Sequence, residues 1–207
     1  MAFLDIYVAK YPFEGDEKIS CQKRLDEIKK CHNEDVKKQK FYVWKLLEFA
    51  LQNSLSLDVN SLNFIKNENG KWIVDECYFS LSHSGNLVAV ALSDSPVGID
   101  IQKHVLLKIT PKLLELVLSK EEIKKYPHID NDKLLEMWSI KECAFKMSEE
   151  KTFIPRHFTT DEFSHQKSLN ITCQDELYKL SFVCDNISYV EYYYSLNGGL
   201  LCQTKNL

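Results

Sequence analysis

Asp100, Gln102, Glu142 and Lys146 are the side chains whose types and spacing could do chemistry together. The first two lie in Val97-Gly98-Ile99-Asp100-Ile101-Gln102. Strand alternation sends Val97, Ile99 and Ile101 to one face and Gly98, Asp100 and Gln102 to the other. Two oxygen donors placed this way stand about 7 Å apart, at ~3.3 Å per residue. Gly98 is read as leaving room beside them for a ligand. The other two lie in Trp138-Ser139-Ile140-Lys141-Glu142-Cys143-Ala144-Phe145-Lys146. At ~100° per residue, Leu134, Trp138 and Phe145 share a helix face, and Lys141 projects near its middle. A lysine there must snorkel, pair or bind something, because an unpaired buried ammonium is very costly. Glu142 and Lys146 stand one turn apart on the adjoining side, as in an ordinary ion pair worth a few tenths of a kcal/mol. A strand carboxylate facing a helix carboxylate and lysines can hold a divalent cation against a diphosphate. The pattern points to phosphate chemistry.

Two further segments supply candidate phosphate contacts. Ser80-Leu81-Ser82-His83-Ser84-Gly85 offers small hydroxyls, backbone N–H groups and an imidazole at a strand end, although a plain hairpin turn uses the same residues. Lys71 follows the turn pair Asn69-Gly70 and could equally be a solvated charge. The sequence contains no G-x-S-x-G elbow, P-loop, G-x-G-x-x-G or H-E-x-x-H, so those routes to hydrolysis, nucleotide binding or zinc catalysis are not indicated.

The elements that must position these residues are legible in outline. Residues 3–8 read as a strand and 16–31 as a lysine-rich helix. Asn33 caps a second helix whose first turn holds Glu34 and Asp35. Strand signals at 63–66 and 71–74 flank Asn69-Gly70. A three-strand meander is expected over 78–82, 87–92 and 97–102. Helical patterning returns from Thr110-Pro111, Ser119 to Glu122 resembles a capping box, and 132–150 is the longest clean helix signal. Strands then close the chain at 179–184, 189–196 and 200–203, the last after an Asn197-Gly198-Gly199 turn. Helices followed by strands thus appear twice, with a seam near 103–110, which divides the chain into 1–104 and 105–207.

Composition narrows the classes. The 207 residues are 44% hydrophobic and 12% aromatic, which suits a folded globular protein. With 26 basic and 30 acidic side chains the net charge is −4, so there is no nucleic-acid footprint. Seven cysteines without a C-x-x-C pair read as reduced thiols in a cytoplasmic protein. The N-terminal segment reads as a strand, not a signal peptide, and no apolar run reaches the roughly 18 residues of a membrane span.

Lys71, Ser82-His83-Ser84-Gly85, Gly98-Ile99-Asp100-Ile101-Gln102 and Trp138 through Lys146, in this order, resemble the motifs of the surfactin-synthetase type of 4'-phosphopantetheinyl transferase. That resemblance implies an α/β (α+β) protein of two similar, pseudo-twofold-related halves, each a small sheet with helices, with coenzyme A in the cleft between them. It implies transfer of 4'-phosphopantetheine from coenzyme A to a serine of an apo acyl or peptidyl carrier protein, with release of 3',5'-ADP. By the same resemblance Asp100, Gln102 and Glu142 hold Mg²⁺, and Glu142 also accepts the serine proton. Lys146 stabilises the leaving phosphate, and Lys141 contacts the phosphates or the pantetheine arm. Lys71 and His83 meet the 3'-phosphate region, with Ser82 beside them and Lys38 as a further candidate. An internally duplicated fold suggests a monomer, and the net charge and the lack of a long apolar run lead us to expect no nucleic-acid or membrane partner.

The chain departs from the pattern twice. Gln102 stands where the family usually has Glu, which removes one negative charge. Met147-Ser148-Glu149-Glu150 replaces glycines that commonly follow the last lysine. Both departures motivate a rival reading, a coenzyme A- or carrier-binding module with impaired catalysis; an unrelated metal-dependent phosphoesterase is a third. The segment Thr110 to Tyr126, with Leu113, Leu116 and Val117 among lysines, is the expected carrier-docking surface.

Overall fold

The computed structural model describes residues 2–13 and 18–195 and the backbone of 201–203. In chain order, strand β1 (Phe3–Lys10) precedes helices α1 (Gln22–Lys29) and α2 (Glu34–Leu55). Strands β2 (Ile65–Lys66), β3 (Trp72–Ile73), β4 (Tyr78–Ser84), β5 (Leu87–Ser93) and β6 (Val97–Lys103) follow. Helices α3 (Pro111–Val117), α4 (Lys120–Lys125) and α5 (Asn131–Met147) lead to β7 (Gln166–Cys173), β8 (Glu176–Cys184), β9 (Tyr189–Ser195) and β10 (Leu201–Gln203). No helix among the described residues is long and apolar enough to cross a membrane.

Local chemistry sets several boundaries as expected. The Asn33 side chain accepts from the Asp35 and Val36 amides at 2.8 and 3.1 Å, satisfying donors that the first turn of α2 leaves free. Ser119 and Glu122 form the reciprocal capping box of α4. The β4–β5 hairpin turns through Gly85, whose φ of +56° suits a residue without a side chain. Helix α1 starts later than residue 16, because the Ser20 amide and hydroxyl bind Glu48 Oε1 at 2.7 and 2.5 Å. The Asn197-Gly198-Gly199 turn lies outside the described residues.

Five strands form one sheet in the order β10-β9-β1-β5-β4, and three form another in the order β6-β8-β7. Strands β1 and β5 are buried on both faces. Leu4, Ile6, Val8, Ala89 and Ala91 pack against Ile99, Ile101, Leu180 and Phe182 of the smaller sheet. Tyr7, Val88, Val90 and Leu92 pack against Val43, Trp44, Leu47 and Leu51 of α2. Helix α5 lies on the far side of the smaller sheet, against β6 and β8. The order of layers is therefore α2, five-stranded sheet, three-stranded sheet, α5. Each sheet draws strands from both sides of residue 104, since β9 pairs with β1 and β6 pairs with β8.

The expected meander stops after two strands. Backbone pairing joins β6 to β8, from Val97–Cys184 to Lys103–Tyr178. Its other edge is served by side chains: the Ile99, Ile101 and Lys103 amides donate to the hydroxyls of Ser80, Ser82 and Ser84 at 3.1, 3.1 and 2.9 Å. Alternate serines of β4 thus stand where a neighbouring strand would present carbonyls, and the two sheets are stitched along that seam.

Gly98 serves packing, not a ligand. A Cβ built there would lie 2.0 Å from the Cys143 carbonyl oxygen, so the missing side chain is what lets α5 rest on β6. Gly98→Ala must push helix and strand apart and is expected to cost about 3 kcal/mol. Urea denaturation measures it, and a loss below ~1 kcal/mol on the same overpacking scale would contradict this packing.

Candidate active site

Asp100 projects from β6 toward α5 and is fully buried. Its Oδ1 accepts from Ser82 Oγ at 2.9 Å, and from Gln102 Nε2 and Lys146 Nζ at 3.3 Å each. Its Oδ2 accepts from Ser139 Oγ at 2.8 Å. Strand β4 and both turns of α5 that face it therefore converge on one carboxylate. Lys146 Nζ also donates to the Ile99 carbonyl at 2.7 Å and stands 3.7 Å from Glu142 Oε1. Glu142 Oε2 accepts from Gln102 Nε2 and Trp138 Nε1, each at 3.2 Å.

The electrostatics follow from this crowding. Burial, and then the Asp100 charge, push the Glu142 carboxyl above the usual carboxylate range. Burial opposes the Lys146 ammonium, but Asp100 and Glu142 outweigh it and hold its pKa above the ordinary lysine value. The described residues hold no group of three or more His, Cys, Asp or Glu that could bind an ion. What they offer is two carboxylates, bridged by the Gln102 amide N–H group, as hard oxygen donors with a lysine beside them. Such a set suits a cation that keeps part of its water shell.

Lys146 also lines a cavity of about 340 Å³ whose walls carry Arg24, Lys40, Lys71 and His83, with Glu150 as the acidic exception. Lys71 Nζ donates to the Lys146 carbonyl at 2.6 Å, anchoring the hairpin of β2 and β3 to the end of α5. Burial lowers the Lys71 pKa. Partial desolvation and then the Lys146 charge lower that of His83, favouring a neutral imidazole. A basic cleft leading to a paired-carboxylate corner can take a polyphosphate and neutralise it along its length.

Among the residues singled out in the sequence, Asp100, Gln102, Glu142 and Lys146 meet, and Lys71 and His83 reach the adjoining cleft. Ser82 is buried, its hydroxyl spent on Asp100 and the Ile101 amide. Lys141 pairs instead with Glu122: its Nζ lies 2.5 Å from Glu122 Oε2 and 3.1 Å from the Val117 carbonyl, inside the packing of α3, α4 and α5. Lys38 is exposed on α2, away from the cleft lining, whereas Lys40 lines it. Helical spacing would have preferred Lys40, which shares a face with the buried Trp44 and Leu47. Arg24 shares the buried face of α1 with Ile28 and carries the same signal.

Residues 96–196, which supply β6 and α5, match the model of the 4'-phosphopantetheinyl transferase superfamily. The 4'-phosphopantetheinyl transferase gsp of Aneurinibacillus migulanus is 33% identical over 115 residues, covering 53% of this chain and 48% of the relative. The 4'-phosphopantetheinyl transferase Sfp of Bacillus subtilis strain 168 is 26% identical over 115 residues, covering 53% and 51%. The chain thus spans about half the length of these curated relatives. Within the matched segment lie Asp100, Gln102, Glu142 and Lys146; the cleft walls contributed by α1, α2, β3 and β4 fall outside it.

Lys141 gives a direct check on this division between site and scaffold. Lys141→Ala leaves Glu122 buried without its cation and is expected to cost about 3–5 kcal/mol in urea denaturation. A loss under ~1 kcal/mol, as for an exposed pair, would show that the lysine is free for another role.

Proposed function

We propose that this protein transfers 4'-phosphopantetheine from coenzyme A to a serine hydroxyl of an acyl or peptidyl carrier protein, releasing 3',5'-ADP. One observation carries the reading: Asp100, Gln102, Glu142 and Lys146, all within the segment that matches the superfamily model, converge at the end of a basic cleft. The names of the relatives support the same activity.

In the proposed reaction the serine oxygen bonds to the phosphorus of the pantetheine phosphate. The bond from that phosphorus to the oxygen of the adenosine 5'-phosphate breaks. Glu142 takes the serine proton. Lys146, fixed by Ile99 and Asp100, stands against the charge that develops on the departing phosphate. Arg24, Lys40, Lys71 and His83 bind and orient the nucleotide phosphates, so most of the catalysis is positioning and charge neutralisation. Asp100 and Glu142 would hold Mg²⁺, joined by Gln102 only if its amide, which here turns its N–H group to both carboxylates, reverses to offer its oxygen; the ion when bound offsets the negative charge of the diphosphate. Replacement of the usual Glu by Gln102 leaves this set one charge weaker.

The carrier is proposed to dock over 110–126. There Lys112 and Lys120 are exposed and Leu116 is 53% exposed, while Val117 turns into the core. Nearby Leu106 is 88% exposed and extends the apolar surface. Cys21, Cys31, Cys77, Cys143 and Cys184 are free thiols, in keeping with the proposed cytoplasmic location of a monomer without nucleic-acid or membrane partners. Gln102 and the Ser148-Glu149-Glu150 exit from α5 favour the second reading, a binding module that has lost transfer.

Mass spectrometry of apo carriers incubated with coenzyme A and Mg²⁺ separates the two. Transfer predicts a mass gain of one phosphopantetheine on the carrier and 3',5'-ADP in solution. Glu142→Gln is expected to lower kcat/KM by about 100-fold or more, in the range for a lost general base. Binding of coenzyme A without a mass gain on any carrier would establish the second reading instead.

A further inference from the structure

Asn69 and Glu149 are assigned no part in the reaction above, yet they join two walls of the cleft. Asn69 Nδ2 donates to the Glu149 carbonyl at 3.0 Å and to Glu149 Oε2 at 3.3 Å. Both bonds face solvent and link positions 80 residues apart in the chain. The cavity is lined by Asn67, Asn69 and Gly70 of the β2–β3 hairpin and by Lys146, Ser148 and Glu150 at the exit from α5. The Asn69–Glu149 contact therefore lies at the cavity's mouth and spans it.

The hairpin tip holds its own shape. Asn67 Oδ1 accepts from the Asn69 and Lys71 amides at 3.0 and 2.9 Å, and the Asn67 carbonyl accepts from the Gly70 amide at 2.9 Å. Gly70 takes the φ of +76° that this tight turn needs. Behind the tip, however, β2 and β3 have only two residues each, and both residues of β2 are exposed. A ribbon this short is marginal by itself, so the position of the tip depends on what ties it down. Two ties reach the end of α5: Asn69 to Glu149, and Lys71 Nζ to the Lys146 carbonyl at 2.6 Å. A preformed tip on a weak stalk, closed by exposed hydrogen bonds, has the parts of a movable strap.

We propose that the Asn69–Glu149 contact is a latch between the hairpin tip and the exit from α5, which opens to admit coenzyme A and to release 3',5'-ADP. The inference rests on the reading of the cleft as a coenzyme A site. It concerns the rates of exchange, not the affinity. The latch bonds are made between protein groups in the closed state, with or without a nucleotide behind them. Breaking them therefore eases entry and exit alike. Glycine at position 149 would keep the carbonyl acceptor and lose the carboxylate, so Glu149 gives the latch its second bond.

Stopped-flow mixing of the whole protein with coenzyme A tests this, read by tryptophan fluorescence because Trp72 lines the cavity. Asn69→Ala removes both latch bonds without changing the net charge. It is expected to raise kon and koff together by about fivefold, the population change that one typical net hydrogen bond supports, with Kd kept within twofold. Glu149→Ala, which leaves the carbonyl acceptor, is expected to raise both rates by a smaller factor. Unchanged rates in Asn69→Ala would overturn the inference. So would a rise in koff alone with Kd rising in proportion, which marks an ordinary ligand contact. A rise in kon confined to Glu149→Ala would mark the loss of a repelling charge and overturn it too. If wild type binds no coenzyme A, the reading of the cleft falls and the latch with it; if wild type binds and Asn69→Ala exchanges at the same rates, only the latch falls.

Discussion

A fully buried carboxylate is the constraint on which the rest of this structure depends. Moving Asp100 out of water is unfavourable unless each oxygen finds donors, and unpaired charges in protein interiors are among the most costly features a fold can carry. Ser82 from the larger sheet, Gln102 from its own strand, and Ser139 and Lys146 from α5 supply those donors. The requirement therefore fixes the spacing of three elements at once. Lys146 is held charged by the same carboxylates it neutralises and presents its ammonium toward the cleft.

The seam between the sheets serves this corner. Ser80, Ser82 and Ser84 take the amides along one edge of β6, and β8 takes the other edge. Strand β6 is thereby held on both sides, one face against the core through Val97, Ile99 and Ile101, the other against α5. Gly98 brings the α5 backbone into contact at Cys143, close enough for Ser139 and Lys146 to reach Asp100. The cleft wall, by contrast, includes the short strands β2 and β3, tied by the Glu27–Lys66 ion pair and by the Lys71 hydrogen bond to the end of α5.

Much of this was legible in the residues themselves. The alternation over 97–102 placed Asp100 and Gln102 on one face, the helix spacing placed Glu142 beside Lys146, and Asn33 announced its cap. What was not legible depended on partners remote in sequence. The same serines that read as a phosphate-binding turn are consumed by β6, because the sequence cannot show that β6 leaves β5 and pairs with β8. The centre-face position of Lys141 demanded a partner, and Glu122 provides it from another helix. Lys38, implied by the resemblance, is exposed, whereas Lys40 owes its place in the cleft to the buried face of α2. The β7–β8 turn at Gln174 and Asp175 has φ of 50° and 62° without a glycine, so its residues gave no signal.

The central claim is that Asp100, Glu142 and Lys146 form one cation-dependent clamp for a diphosphate. A crystal structure with coenzyme A and Mn²⁺, read by anomalous scattering, tests it most directly. The account predicts a metal peak shared by Asp100 and Glu142, with the diphosphate against both that ion and Lys146. A diphosphate bound away from this corner, or a metal peak remote from both carboxylates, would contradict it.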